Sequence, residues 1–160
     1  LKKFNLELEE SKSRMIEFGK YAEINSKRKY GRKAETFNFL GFTLYCGKSR
    51  HSGEFCVKLK TNSKKFTQKL KQTKEWLYQN NDLPVKDLIT RLNKKLVGHY
   101  RYYGVSHNIN KLSAFLHYVQ RYLFKVLNRR SHKKSYTWDG YIDMLKVYPL
   151  AKPKIYVKLF

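Results

Sequence analysis

Acidic side chains are what this sequence has least of: its 160 residues hold twelve Asp+Glu against thirty-five Lys+Arg, for a formal net charge of +23. No Asp-Asp or Asp-x-Asp pair occurs, so a two-metal phosphoryl-transfer centre has no ligands in the chain. Asp139 and Asp143 share one helical face at a spacing of four, an arrangement that ordinarily means two solvated carboxylates. The two cysteines cannot build a disulfide scaffold. Cys46, His51 and Cys56 are evenly spaced as C-x4-H-x4-C, but structural zinc wants four ligands and a tighter first pair, so reduced thiols on a hairpin are the plainer reading. No run approaches the roughly 18 apolar residues needed to span a bilayer. The opening "LKKFNLELEESK" turns acidic where an export signal would be apolar, so an intracellular setting, bacterial cytoplasm or organelle, is expected. The chain starts on Leu in mid-pattern, as a piece of a longer protein would. Nucleophile elbow, Gly-rich phosphate loop and H-E-x-x-H are all missing. These absences describe a binder and not a complete enzyme.

What is plentiful is positive charge and aromatic rings. Residues 1–60 carry fourteen basic and seven acidic groups, or +7; residues 61–160 carry twenty-one and five, or +16. Such an excess strains a compact state unless an anion shares it. It points first to nucleic acid and second to an anionic membrane surface. An aromatic content of 16%, with thirteen Tyr, favours nucleic acid, since exposed rings stack on bases, although most rings belong in a core.

The period of the apolar residues changes near Thr61 to Ser63. Before it, "FNLELE" (Phe4 to Glu9), "RMIEFG" (Arg14 to Gly19), "FNFLGFTLYC" (Phe37 to Cys46) and "EFCVKL" (Glu54 to Leu59) alternate as strands. The last two flank the Gly- and Ser-rich "GKSRHSG" of a hairpin. The polar run from Lys20 to Glu35 reads as a solvated loop. After it, four helices are predicted. The first starts near Ser63 as N-cap with Phe66, Leu70, Thr73 and Leu77 on its stripe. The second follows Asp82, a capping candidate, and Pro84, and carries Val85, Leu88, Ile89, Leu92 and Leu96. Gly104 ends it, as a C′ glycine does. The third carries Leu112, Leu116, Val119, Leu123 and Val126, and a short fourth is capped by Thr137. The fold class is therefore α+β: a small antiparallel sheet over residues 1–62, then a helical bundle over residues 63–160.

Helical phase at 100° per residue sorts the polar positions. Arg91, Lys94, Gly98 and Arg101 lie opposite the apolar stripe of the second helix, with Tyr102 off to one side. Arg121, Lys125 and Asn128 lie opposite that of the third. The connection "LNRRSHKKSYTW" adds Arg129, Arg130, His132, Lys133 and Lys134 just before a helix N-terminus, which itself favours anions. One such run is often only a solvated surface; three in one small bundle point to phosphate contacts, steep in salt dependence and poor in sequence information.

These segments resemble the reverse transcriptase/maturase proteins encoded by group II introns. "ESKSRMIEFG" (Glu10 to Gly19) and "ETFNFLGFT" (Glu35 to Thr43) are similar to the last blocks of the polymerase palm. "LNKKLVGHYRYYGVSHN" (Leu92 to Asn108), "LNRRSHKKSYTW" (Leu127 to Trp138) and "YPLAKPKI" (Tyr148 to Ile155) are similar to domain X, the helical thumb that also acts as the maturase. His132, Ala151 and Lys154 stand where the family more often has Gln, Pro and Arg. The resemblance implies palm for residues 1–62 and thumb/maturase for residues 63–160. It makes Phe39, Leu40, Gly41 and Phe42 the primer grip and Lys12 a proton donor. Gly41 would suit a close nucleic-acid approach or equally a bulge in a packed hairpin. It further implies intron RNA and template–primer duplex as partners, together with the fingers and remaining palm of the same protein, which is open to dimerisation. The metal-binding Tyr-x-Asp-Asp would precede Leu1. No cofactor is then expected in this chain, magnesium is expected for the intact polymerase, and this segment alone should be inactive. A free-standing basic RNA-binding or RNA-chaperone module is the alternative; adsorption to membrane is weaker, because no amphipathic face is free of core duty.

Overall fold

A computed structural model describes residues 13, 15–49, 52–130 and 135–159. Its elements are α1 (Ala22–Tyr30), β1 (Phe37–Phe39), β2 (Phe42–Lys48), β3 (Phe55–Thr61), α2 (Ser63–Gln79), α3 (Val85–Tyr103), α4 (Ile109–Asn128) and α5 (Trp138–Val147). The strands form one antiparallel sheet in the order β1-β2-β3. An α+β chain, small sheet first and helices after, is what the change of period predicts. Two compact units are present. One contains the described residues before Asn38 together with Leu44–Lys58, and the other contains Asn38–Thr43 and Leu59–Phe160.

In the first unit, α1 occupies part of the run expected to be a loop. That helix has almost no apolar face, burying only Ala22 and Ser26. Local chemistry holds it. Gly31 ends it at φ 64, donating its N–H to the Lys27 carbonyl, while Glu23 in the first turn and three cations in the last complement the helix dipole. The Ser26 hydroxyl donates to the Lys33 carbonyl at 3.1 Å. Residues 15–18 are not a strand, contrary to the expectation for Arg14 to Gly19; Phe18 instead sets its ring edge-on to Phe37 at 5.0 Å. The strand expected at Phe4 to Glu9 lies outside the described residues. Cys46 and Cys56 are free thiols.

The second unit packs α2, α3, α4 and α5 on one core. Leu77, Leu88, Leu92, Leu96, Leu112, Phe115, Val119, Leu123, Val126 and Tyr141 are all but inaccessible to solvent. Each sits on the 3.6-residue stripe of its helix; on α4 that stripe includes Phe115, which the prediction omitted, while the predicted Leu116 is only partly buried. Several boundaries differ by a residue or two. Asn62 and not Ser63 caps α2, accepting from the Lys64 and Lys65 amides. Asp82 does not cap α3; Pro84 occupies that position, with no side-chain cap. Thr137 does cap α5, accepting from the Gly140 amide. Past Pro149 the chain runs extended, and a parallel bridge joins Val157 to Val105.

Three asparagines act as clamps in this unit. Asn108 is fully buried: its amide donates to the Thr61 hydroxyl and the Tyr103 carbonyl, and its oxygen accepts from the Thr61 N–H, each at 2.8 Å. Asn93 holds the extended segment, donating to the Pro149 carbonyl at 2.9 Å and accepting from the Ala151 N–H at 2.8 Å. Asn128, placed by helical phase among the outward cations, grips both backbone groups of Tyr136 and so closes the α4–α5 connection.

Candidate nucleic-acid interface

The stretch Leu96 to Asn108 is where core and surface meet. His99 and Tyr100 are buried, and His99 stacks on Phe115 with centroids 3.9 Å apart and planes within 19°. Neither imidazole nitrogen has a hydrogen-bond partner. Burial, aided by the nearby Lys69 cation, lowers the His99 pKa to about 4, so this ring is a neutral packing element and no proton shuttle. Burial likewise raises the Tyr100 hydroxyl well above its ordinary value.

On the opposite side of α3, Arg91, Lys94, Gly98 and Arg101 are exposed, as the phase of the helix predicts. A shallow groove of about 510 Å³ runs here, lined by Thr90, Asn93, Lys94, Val97, Gly98 and Arg101. On α4, Arg121 and Lys125 are exposed opposite its core stripe. Among the described residues none of these five cations pairs with an acid, and none rests on a ring. Other cations of the bundle are engaged. Lys95 lies over Trp76 at 4.9 Å, Lys111 over Phe66 at 5.1 Å, and Lys74 between Tyr78 and Tyr122 at 5.9 Å from each. Such contacts stabilise by about 0.5–1 kcal/mol each at exposed sites, and they mark these side chains as partly structural. The exposed lysines at the start of α2, Lys64 and Lys65, sit in a first turn that has no acid. Helical phase at 100° per residue sets Lys64 opposite the stripe of Leu70, Thr73 and Leu77, so the arithmetic that selects Arg91 and Lys94 reaches it too.

The connection after α4 is more structural than its charge suggests. Arg129 lies over the Tyr78 ring at 5.2 Å. Arg130 is half-buried and donates from Nε to Asn81 at 3.2 Å. Arg129 therefore ties the end of α4 to the last turn of α2, and Arg130 ties the chain just after it to the α2–α3 connection. His132, Lys133 and Lys134 lie outside the described residues.

The segment Phe39 to Phe42 forms a two-residue β-turn. Leu40 and Gly41 take φ of 45° and 79°, the left-handed pair that tight hairpins need. Gly fits that region; Leu is strained there. Phe39 and Leu40 are 61% and 67% exposed, so the turn presents an apolar tip. Tyr102 supports it, donating its hydroxyl to the Leu40 carbonyl at 3.0 Å and stacking on Phe42 at 6.1 Å. Tyr102 is thus half spent on the hairpin, although 56% of it stays accessible. A Cβ on Gly41 would stand 3.0 Å from the Tyr103 hydroxyl, so the left-handed turn and this contact together account for the glycine. Lys12 lies outside the described residues.

The two glycines of α3 differ sharply. Gly104 ends the helix at φ −78°, ψ 57°, which is not the left-handed cap expected of it. A Cβ there would meet the Tyr100 carbonyl oxygen at 2.3 Å and that of Lys154 at 2.6 Å. Its own carbonyl accepts from the Tyr156 and Val157 amides at 2.7 and 3.0 Å. Gly98 has nothing within 4 Å of its would-be Cβ, and glycine inside a helix costs about 1 kcal/mol relative to alanine.

Among the described residues no group of three His, Cys, Asp or Glu is placed to hold a metal ion; Asp143 pairs with Lys146 at 2.7 Å, and His51 lies outside the described residues. None of the helices there is long and apolar enough to cross a membrane.

Fold and charge together define a basic helical module preceded by a small antiparallel sheet. Residues 63–141 match the family model of the group II intron, maturase-specific domain, from the first residue of α2 into α5. Through that stretch the chain is similar to the maturase-specific domain of group II introns, which ties it to an intron-related maturase function. No curated protein and no solved structure matches the chain.

Proposed function

We propose that the bundle binds intron RNA, and template–primer duplex in the intact protein, as the thumb/maturase end of a group II intron reverse transcriptase. The observation that carries this reading is the set of five exposed cations, Arg91, Lys94, Arg101, Arg121 and Lys125, with neither acid nor ring as partner among the described residues. Cations turned away from the core leave their charge for an outside anion, and contacts of this kind bind by phosphate and shape. In this reading the apolar tip at Phe39 and Leu40 is the primer grip, residues 1–62 complete a palm, and RNA-directed DNA synthesis needs the fingers and the rest of the palm. Magnesium serves the intact polymerase through residues outside those described here. Replacing Arg91, Lys94 and Arg101 by Ala tests the reading directly. Binding to intron RNA should weaken, and the slope of log K against log salt should fall by about one per lost phosphate contact. An unchanged slope would refute it.

A further inference from the structure

We infer that Gly98 is a close-approach point, where an RNA strand lays its sugar–phosphate backbone directly against the bare backbone of α3. This deepens the RNA-binding reading and rests on it. Three observations converge. Gly98 sits inside a regular helix, where glycine is disfavoured, and has an ordinary helical φ, so no turn or left-handed conformation requires it. No described residue occupies the place of its missing side chain, so packing among them does not require it either. And it lies in the floor of the groove lined by Thr90, Asn93, Lys94, Val97 and Arg101.

The lining decides what approaches. At the helical rise of 1.5 Å per residue, Lys94 and Arg101 stand roughly 6 Å and 4.5 Å along the axis on either side of Gly98. Both are exposed, and neither has an acidic partner among the described residues. Two free cations bracketing bare backbone match an anionic strand lying across the helix, with each charge reaching a phosphate. A protein helix packing at a glycine would want apolar flanks, and Val97 is the one apolar side chain in this groove. A second copy of the chain would bring another +23 of like charge to the same place.

The test uses the whole chain and a labelled RNA hairpin of two helical turns. Gly98→Ala should raise the thermal midpoint by a few degrees, since alanine is the better helix former, while weakening RNA binding about tenfold, as for one lost charge-assisted contact. Gly98→Leu should weaken binding further. The double variant Lys94→Ala, Arg101→Ala should leave the midpoint in place and lower the salt slope by about two. If both Gly98 variants bind as the parent does while the double variant loses affinity, the basic face carries RNA but close approach at Gly98 is wrong. If all three bind as the parent does, the RNA reading of this face fails with it. A fall in midpoint for Gly98→Ala, or a change of oligomeric state with RNA affinity intact, would each assign the glycine to the fold or to a protein partner and overturn the proposal.

Discussion

One helix carries two glycines with opposite surroundings. At Gly104 an added methyl would collide with two carbonyl oxygens of its own chain, at 2.3 and 2.6 Å; at Gly98 it would meet nothing within 4 Å. The same contrast extends along the whole of α3. Its inward side, from Leu88 to Tyr100, is closed by α4 residues such as Phe115 and by the clamped C-terminal segment. Its outward side is a cationic groove that the chain leaves open. A residue type explained on one side by folding needs, on the other, an explanation from outside the molecule.

The largest effect is expected at Gly104. Alanine there must displace either the last turn of α3 or the extended segment at Lys154, both backbone and neither able to yield as a side-chain tip would. Gly104→Ala should cost at least about 3 kcal/mol, read as the shift of the urea midpoint at unchanged slope. A loss under about 1 kcal/mol would mean that the close packing is not a constraint, and the contrast with Gly98 would collapse.

Next comes Asn108. Its removal strands the Thr61 amide and hydroxyl and the Tyr103 carbonyl, and Thr61 is itself buried. A buried unsatisfied group costs about 1–3 kcal/mol, so Asn108→Ala should lose about 2–4 kcal/mol by denaturant unfolding. Asn108→Asp should fare little better, because it keeps the acceptor and loses both donated bonds. Full stability in the Asp variant would show that the donated bonds contribute nothing.

His99 adds a pH dependence of similar or smaller size. Its folded pKa of about 4 lies below the ordinary 6.5, so between those values the unfolded chain binds the proton and the folded one does not. Stability contributed by the neutral ring is therefore complete above about pH 6.5 and is lost progressively as pH falls toward 4. It amounts to about 3 kcal/mol. His99→Phe should flatten the fall of thermal midpoint across that window, with the Phe115 stack retained. An equally steep fall in that variant would assign the effect to the general charge of the chain, including Lys69.

How much of this was legible from sequence follows the same division. Helices α2 to α4 announce themselves because burial imposes a period of 3.6, and the outward positions Arg91, Lys94 and Arg101 follow from the same arithmetic; α5, which buries Tyr141 and leaves Trp138 and Ile142 exposed, is marked by its Thr137 cap. Helix α1 does not, since it is held by a glycine cap and local pairs and has no buried stripe to read. The clamps at Asn93, Asn108 and Asn128 join positions far apart in the chain, or a helix end to its connection, and leave no periodic signature; phase alone put Asn128 with the cations. Nor does charge reveal which cations rest on rings. Arg129 and Arg130 look as free as Lys94, yet one lies over Tyr78 and the other bonds Asn81.

That last distinction gives the smallest predicted change in stability and the sharpest check on the two faces. Lys94 and Arg101 touch no acid or ring, so their replacement by Ala should move stability by no more than about 0.5 kcal/mol. Arg130→Ala removes a half-buried hydrogen bond and the packing of a long stem, and should cost about 1 kcal/mol. Neutralising Arg129, Arg130, Lys133 and Lys134 together would therefore not leave the fold untouched, as charge alone suggests, and lost RNA binding in such a variant would mix two causes. Measuring unfolding and RNA binding on the same preparations separates them: the α3 pair should change binding alone, and Arg130 should change both. Equal stability losses from the two sets would mean that the outward face of α3 is also part of the fold, and that exposure there does not signal a partner.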